Sequence, residues 1–263
     1  MHFKRIIVAA LFLPFFYFYI MYLPPEYFLF LLILFSTIAL AEYYAMFKVR
    51  GIIKYTGLLL GILMPAVFFL KKNYFIDILF MAVLIIAAVR LVNRKALPEA
   101  PFQISVVLLG LLYLPGLLTF QLALVKMNPA WIILLFTTVW IADSFAYYVG
   151  SSIGKRKLYE DISPHKTVEG GVGSLCGGIA GALLVKGILL KHIPVERAIV
   201  IGLVLGAVTI IGDLVESLFK RSAGIKDSSA LIPGHGGVLD KIDGVTFAGP
   251  VLYWLCLSLG LFR

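Results

Sequence analysis

Long apolar runs separated by short polar stretches set the pattern of this chain. Runs at 6–22, 27–47, 52–70, 74–92, 102–125, 130–150, 172–190, 196–219 and 244–262 approach the roughly 20 apolar residues that a helix needs to cross a bilayer. Hydrocarbon offers the backbone no water, so a spanning segment must satisfy its own hydrogen bonds. The pattern therefore predicts an all-α, polytopic transmembrane protein with nine spans. Pro65 in the third run and Pro115-Gly116 in the fifth predict kinks or breaks. The first run follows Lys4 and Arg5 and so imitates a signal peptide. It has no small-residue cleavage site before Pro24-Pro25, and further spans follow, so it reads as a first transmembrane helix.

Composition agrees: 61% of residues are hydrophobic and 14% charged, where soluble domains carry about 25% charge. The net charge of +9 has no basic module behind it that would mark a nucleic-acid binder. Instead, 16 of the 23 Lys and Arg residues fall on one side of the membrane when the spans alternate from an inside N-terminus. The positive-inside rule then puts the N-terminus in the cytoplasm and the C-terminus outside. Cys176 and Cys256 both lie in apolar runs and read as small core residues. The aromatics of Phe12–Tyr22 read as an interfacial belt.

The acids are unevenly spread. Of 14, only Glu26, Glu42, Asp77 and Glu99 precede residue 143. Residues 1–128 therefore read as scaffold. Residues 129–263 read as the catalytic region, with cytoplasmic loops at 151–171 and 220–243, all within one integral membrane domain. No 20–50-residue repeat and no inverted repeat of the transporter kind is visible.

Three constellations can carry chemistry. Asp213, Glu216 and Lys220 stand at i, i+3 and i+7, which puts them on one helix face. They form either an interhelical salt-bridge network or a metal-ligand set with a phosphate-binding lysine. In PGHGGVLDKID, Gly234, Gly236 and Gly237 let backbone N–H groups approach a phosphate, and His235 can donate to one. Asp240 and Asp243, at i and i+3 where the last helix starts, converge on one cation or simply suit a first helical turn. Hard oxygen ligands beside phosphates favour Mg²⁺. The third is WIADSFAYYVG followed by SPHKTVEGG. Asp143 sits in a span, Lys166 suits a phosphate, and Glu169 is a further metal or nucleotide contact. Lys155–Lys157 reads as a solvated basic stretch facing anionic lipid, and His165 as a surface histidine.

The string SLFKRSAGIKDSSALIPGHGGVLDKID over residues 217–243 resembles the signature of the phosphatidate cytidylyltransferases, or CDP-diacylglycerol synthases. The Asp143 segment and SPHKTVEGG resemble the same family and a wider group of CTP-using membrane enzymes. Lys241 stands where the family more often has arginine, which keeps the charge and loses the bidentate fork. The resemblance implies transfer of the cytidylyl group of CTP to phosphatidate, giving CDP-diacylglycerol and pyrophosphate, with Mg²⁺. The number of acids leaves room for a second cation. Carried over residue by residue, it implies metal at Asp213, Asp240 and Asp243, with Glu216 and Asp227 extending that set. It implies phosphate contacts from Lys220, Arg221, Lys226, His235 and Lys166. Asp143 and Glu169 tune or extend the site, and Gly236, Gly237 and Lys241 line it. A homodimer is also what the resemblance implies. Two rivals remain at this point. A CTP-dependent polyprenol or phytol kinase would release CDP instead of pyrophosphate, and a transporter would carry ion flux without a lipid product.

Overall fold

The computed structural model describes residues 13–92, 97–231 and 236–261. Ten α-helices appear in chain order among them. They are α1 Leu13–Tyr22, α2 Pro25–Met46, α3 Ile52–Leu70, α4 Phe75–Val92 and α5 Ala100–Leu111, then α6 Phe120–Met127, α7 Ala130–Ile153, α8 Val168–Ile188, α9 Val195–Ser222 and α10 Leu239–Ser258. α5 and α6 belong to one apolar stretch, Ala100–Met127. With α2, α3, α7, α8, α9 and the stretch ending in α4, it makes seven segments long and apolar enough to cross a membrane. The shorter α1 and the 20-residue α10 occupy the remaining two apolar runs. The molecule is a polytopic helical membrane protein.

The two proline sites behave differently. α3 runs through Pro65 without interruption. Pro115 instead lies in a π-helical turn, Leu112–Gly116, that separates α5 from α6. Proline cannot donate to the carbonyl four residues back, and the wider turn absorbs that missing bond. The Pro115 carbonyl accepts both the Thr119 N–H at 3.1 Å and the Thr119 hydroxyl at 2.5 Å.

Loop 151–171 departs from the all-α expectation. Strands β1 Lys157–Tyr159 and β2 Ser163–Thr167 form an antiparallel hairpin, with Lys157 opposite Thr167 and Tyr159 opposite Ser163. Thr167 then caps α8, its hydroxyl accepting from the Gly170 N–H at 3.1 Å. The cap explains why α8 begins at Val168, earlier than the apolar run alone predicts. At the far end of α9 the Arg221 guanidinium donates to the carbonyl of Ile162 at 3.2 Å. The hairpin and the end of α9 therefore lie on the same side of the bundle.

α8 is held by glycines on two faces. A Cβ at Gly177 or Gly181 would come within 2.8 Å of α7 backbone atoms at Ile141 and Thr138. One at Gly178 would collide with the carbonyl of Gly202 and reach Gly206 Cα at 3.0 Å, both on α9. Lipid gives helices little hydrophobic reason to associate, so close backbone approach supplies the attraction.

Candidate active site

α9 and α10 touch at Gly212, where a Cβ would stand 2.8 Å from the carbonyl oxygen of Asp243. This contact faces Asp213 and Glu216 of α9 toward Asp243 of α10. One carboxylate oxygen from each of the three lies within 4.8 Å of the others. At that spacing two carboxylates repel by about 3–4 kcal/mol at an effective dielectric near 20. Glu216 is buried. Its Oε2 is 2.5 Å from the Lys220 ammonium, and its Oε1 has no hydrogen-bond partner among the described residues. A buried acceptor left unpaired is unfavourable unless something else meets it. Three converging hard oxygens, with an unpaired oxygen on the buried Glu216, fit a divalent cation such as Mg²⁺.

A cleft of about 550 Å³ opens beside these acids, lined among others by Asp143, Tyr147, His165, Lys166, Gly170 and Asp213. Lys166, at the end of β2, places its ammonium 2.7 Å from Asp213. Asp143 is exposed and lines the same cleft.

Asp240 is not one of the three clustered acids but adjoins Glu216 through the Lys220 ammonium that both carboxylates contact. Its Oδ1 is 2.7 Å from Lys220. Its Oδ2 accepts from the N–H of Gly237 at 2.7 Å and from the N–H and hydroxyl of Ser228 at 3.1 and 2.8 Å. The carboxylate thus ties the connection between α9 and α10, and the Gly237 N–H is committed to it. Gly236 has φ +81°, a conformation that favours glycine, and a Cβ there would strike the same Asp240 oxygen.

The other residues that the sequence singles out scatter around this centre. Glu169 accepts the N–H groups of Lys155 and Arg156 at 3.1 and 3.2 Å and fastens the turn after α7. Arg221 donates to the carbonyls of Ile162 and Ile225. Lys226, Asp227 and Lys241 are exposed, and His235 lies outside the described residues.

Two residues escaped the sequence reading. Glu42, in the half that reads as scaffold, is 7% exposed and accepts hydrogen bonds from Ser228, Ser229, Val238 and Leu239. An acid inside the 27–47 run was the available signal, the same one that singled out Asp143. Tyr113, in the π-helical turn, has a buried hydroxyl with no hydrogen-bond partner among the described residues. Its ring packs against Phe219 of α9 and Phe247 of α10. π-Turns recur at functional sites.

Comparison with known proteins fits this geometry. A Synechocystis phosphatidate cytidylyltransferase is 44% identical over 131 residues, covering 48% of this chain and 43% of that protein. The Bacillus subtilis phosphatidate cytidylyltransferase is 44% identical over 117 residues, 44% of each chain. That of Haemophilus influenzae is 44% identical over 119 residues, 44% of this chain and 41% of its own. This chain thus spans about half the length of the curated relatives it matches, or somewhat less. The model of the cytidylyltransferase family matches residues 3–259, so the chain belongs to that family.

Proposed function

We propose that this protein transfers the cytidylyl group of CTP to phosphatidate, giving CDP-diacylglycerol and pyrophosphate. Membership of the cytidylyltransferase family supports the nucleotide, and the names of the relatives support the lipid.

One observation in the structure carries the reading. A second, apolar cleft of about 490 Å³ is lined by Phe16, Phe28, Leu32, Phe136, Trp140 and Lys241, among others. Phe136 and Trp140 line this apolar cleft, and Asp143, Tyr147 and Gly150 line the polar one. The five residues follow each other at helical spacing on one face of α7. A single stripe therefore passes from a greasy wall to a charged one. That suits a ligand with acyl chains at one end and a phosphate at the other. Keeping the chains in an apolar wall avoids about 0.8 kcal/mol per CH₂ of exposure to water.

Phosphatidate is ionised near neutral pH, so its phosphate oxygen can attack the α-phosphorus of CTP directly. The new P–O bond forms as the bond to pyrophosphate breaks. Two polyanions must meet, and Lys166, with Arg221 at the end of α9 and Lys226 and His235 from the connection after it, lowers their repulsion. Lys241 meets the lipid phosphate. Asp213, Glu216 and Asp243 would hold Mg²⁺, which when bound neutralises charge on the reacting phosphoryl group and the leaving pyrophosphate. Asp143 extends the polar wall, Glu169 holds the hairpin that carries Lys166, and Asp240 shapes the connection itself. The basic bias supports a cytoplasmic site, where CTP is, and the bacterial relatives support a plasma-membrane location.

The test is purified protein with α-labelled CTP, phosphatidate and Mg²⁺. The expected products are a labelled CDP-lipid and unlabelled pyrophosphate. Release of labelled CDP with no labelled lipid would instead mean γ-phosphoryl transfer and would end this reading.

A further inference from the structure

Glu42 stands one turn before the end of α2, and the reaction above makes no use of it. Both of its oxygens are engaged. Oε1 accepts from the Ser229 hydroxyl at 2.6 Å and the Val238 N–H at 3.0 Å. Oε2 accepts from the Leu239 N–H at 2.8 Å and the Ser228 hydroxyl at 3.2 Å. Two donors come from within the connection between α9 and α10, and two from its junction with α10. Gly237 makes room for the arrangement: a Cβ there would stand 2.5 Å from both Glu42 oxygens.

The contacts continue inward. The Ser228 hydroxyl that reaches Glu42 also reaches Asp240 at 2.8 Å. One hydroxyl carries one proton, so it can donate to only one of the two carboxylates at a time. Asp240 bonds Lys220, and Lys220 bonds Glu216. A polar chain therefore runs from Glu42 through Ser228, Asp240 and Lys220 to Glu216. The same carboxylate holds the N–H groups of Val238 and Leu239 at the start of α10, one turn before Asp243.

We propose that Glu42 is a positioning residue for cytidylyl transfer. By holding the start of α10 it places Asp243 opposite Asp213 and Glu216. The inference rests on the reading that this acid cluster serves CTP-dependent transfer. Its chemistry also requires a carboxylate. Each Glu42 oxygen faces one backbone N–H, and a backbone N–H cannot turn to accept. A glutamine in either orientation would set its NH₂ against Val238 or Leu239. Aspartate keeps the charge and is one methylene too short.

The experiment compares wild type, Glu42→Gln, Glu42→Asp and Ser229→Ala in the CDP-lipid assay across a Mg²⁺ titration. Amide exchange is followed in parallel. Glu42→Gln is expected to lower kcat about 10–100-fold, the range for losing a charge-assisted bond or two. KM for CTP should stay within about threefold, and half-saturation should move to higher Mg²⁺. Exchange at Val238 and Leu239 should quicken while α7 and α8 keep wild-type protection. Glu42→Asp should recover part of kcat, and Ser229→Ala should lose about 3–10-fold. Wild-type kcat in Glu42→Gln would overturn the proposal. So would Glu42→Gln unfolding throughout while Ser229→Ala retains full kcat. Should the wild type itself make no CDP-lipid while exchange at residues 238 and 239 still answers to Glu42, the reaction falls and only the clamp stands.

Discussion

The two halves of this bundle are held together differently. In α7, α8 and α9, backbone meets backbone: Gly177 against Ile141 and Ala142, Gly178 against Gly202 and Gly206, Gly206 against Ser174. In α2, α3 and α5, rings and flexible side chains fill the gaps. Tyr44 lies where a Cβ on Gly57 would go, Tyr43 and Tyr44 at Gly110, and Leu40 at Gly61. Backbone contacts have no rotamers, so they fix the distance between helices that carry acids. Side chains can yield, which suits helices whose main task is to enclose. The first half nevertheless sends the Glu42 carboxylate to the connection between α9 and α10.

Substitutions on the two sides should expose this difference. The largest effect is expected at Asp243→Asn, which removes a charged oxygen from the acid cluster. Turnover should fall at least about a hundredfold while the protein stays folded and inserted, as a lost metal-ligand charge implies. Near-normal turnover at ordinary Mg²⁺ would strike Asp243 from the site.

Next comes a matched pair of added methyl groups. Gly178→Ala drives a Cβ into the Gly202 carbonyl and should destabilise by about 1–3 kcal/mol, the usual range for overpacking. Gly61→Ala meets a leucine methyl at 2.7 Å and should cost less, about 1 kcal/mol or under. Thermal unfolding in detergent reads both, and equal losses would erase the distinction between the halves.

A smaller and more selective change is expected at Trp140→Ala, on the apolar part of the α7 stripe. KM for phosphatidate should rise several-fold, on the order of one lost aromatic contact of about 0.5–1.5 kcal/mol. KM for CTP should hold. A rise in KM for CTP alone would place the lipid elsewhere.

The least perturbing test is topological. Single cysteines at Ser152 and Ala230, after Cys176 and Cys256 are replaced, should label from the same membrane face. Labelling from opposite faces would contradict the Arg221–Ile162 contact and divide the site.

Local spacing made part of this architecture legible in the sequence. Membrane thickness fixes run length, so the nine apolar runs show directly. Helical periodicity puts Asp213 and Glu216 on one face, and the structure finds them together with Asp243. Partners distant in sequence were not legible. Nothing in i, i+3 or i, i+4 spacing says that Gly212 would let α10 approach Asp213, or that Asp240 would turn to Ser228 and Lys220. The glycines of PGHGG read as room for phosphate. Among the described residues, Gly236 and Gly237 make room for the carboxylates of Asp240 and Glu42. Glu42 was hidden most completely, because its four bonds reach across 186 to 197 residues. The hairpin was missed because its strands are only three and five residues long.

That long reach has a consequence for how the protein is made. Chains grow at about 5–20 residues per second, so α2 leaves the ribosome many seconds before the donors that will hold its carboxylate. Through that interval Glu42 sits in an apolar helix without its final partners, where an acid is unfavourable by up to about 3 kcal/mol at mid-membrane and less near an end. Two donors, Ser228 and Ser229, precede α10, and the N–H groups of Val238 and Leu239 complete the set as α10 begins. Arrival of the last helix and completion of the site are thus one event.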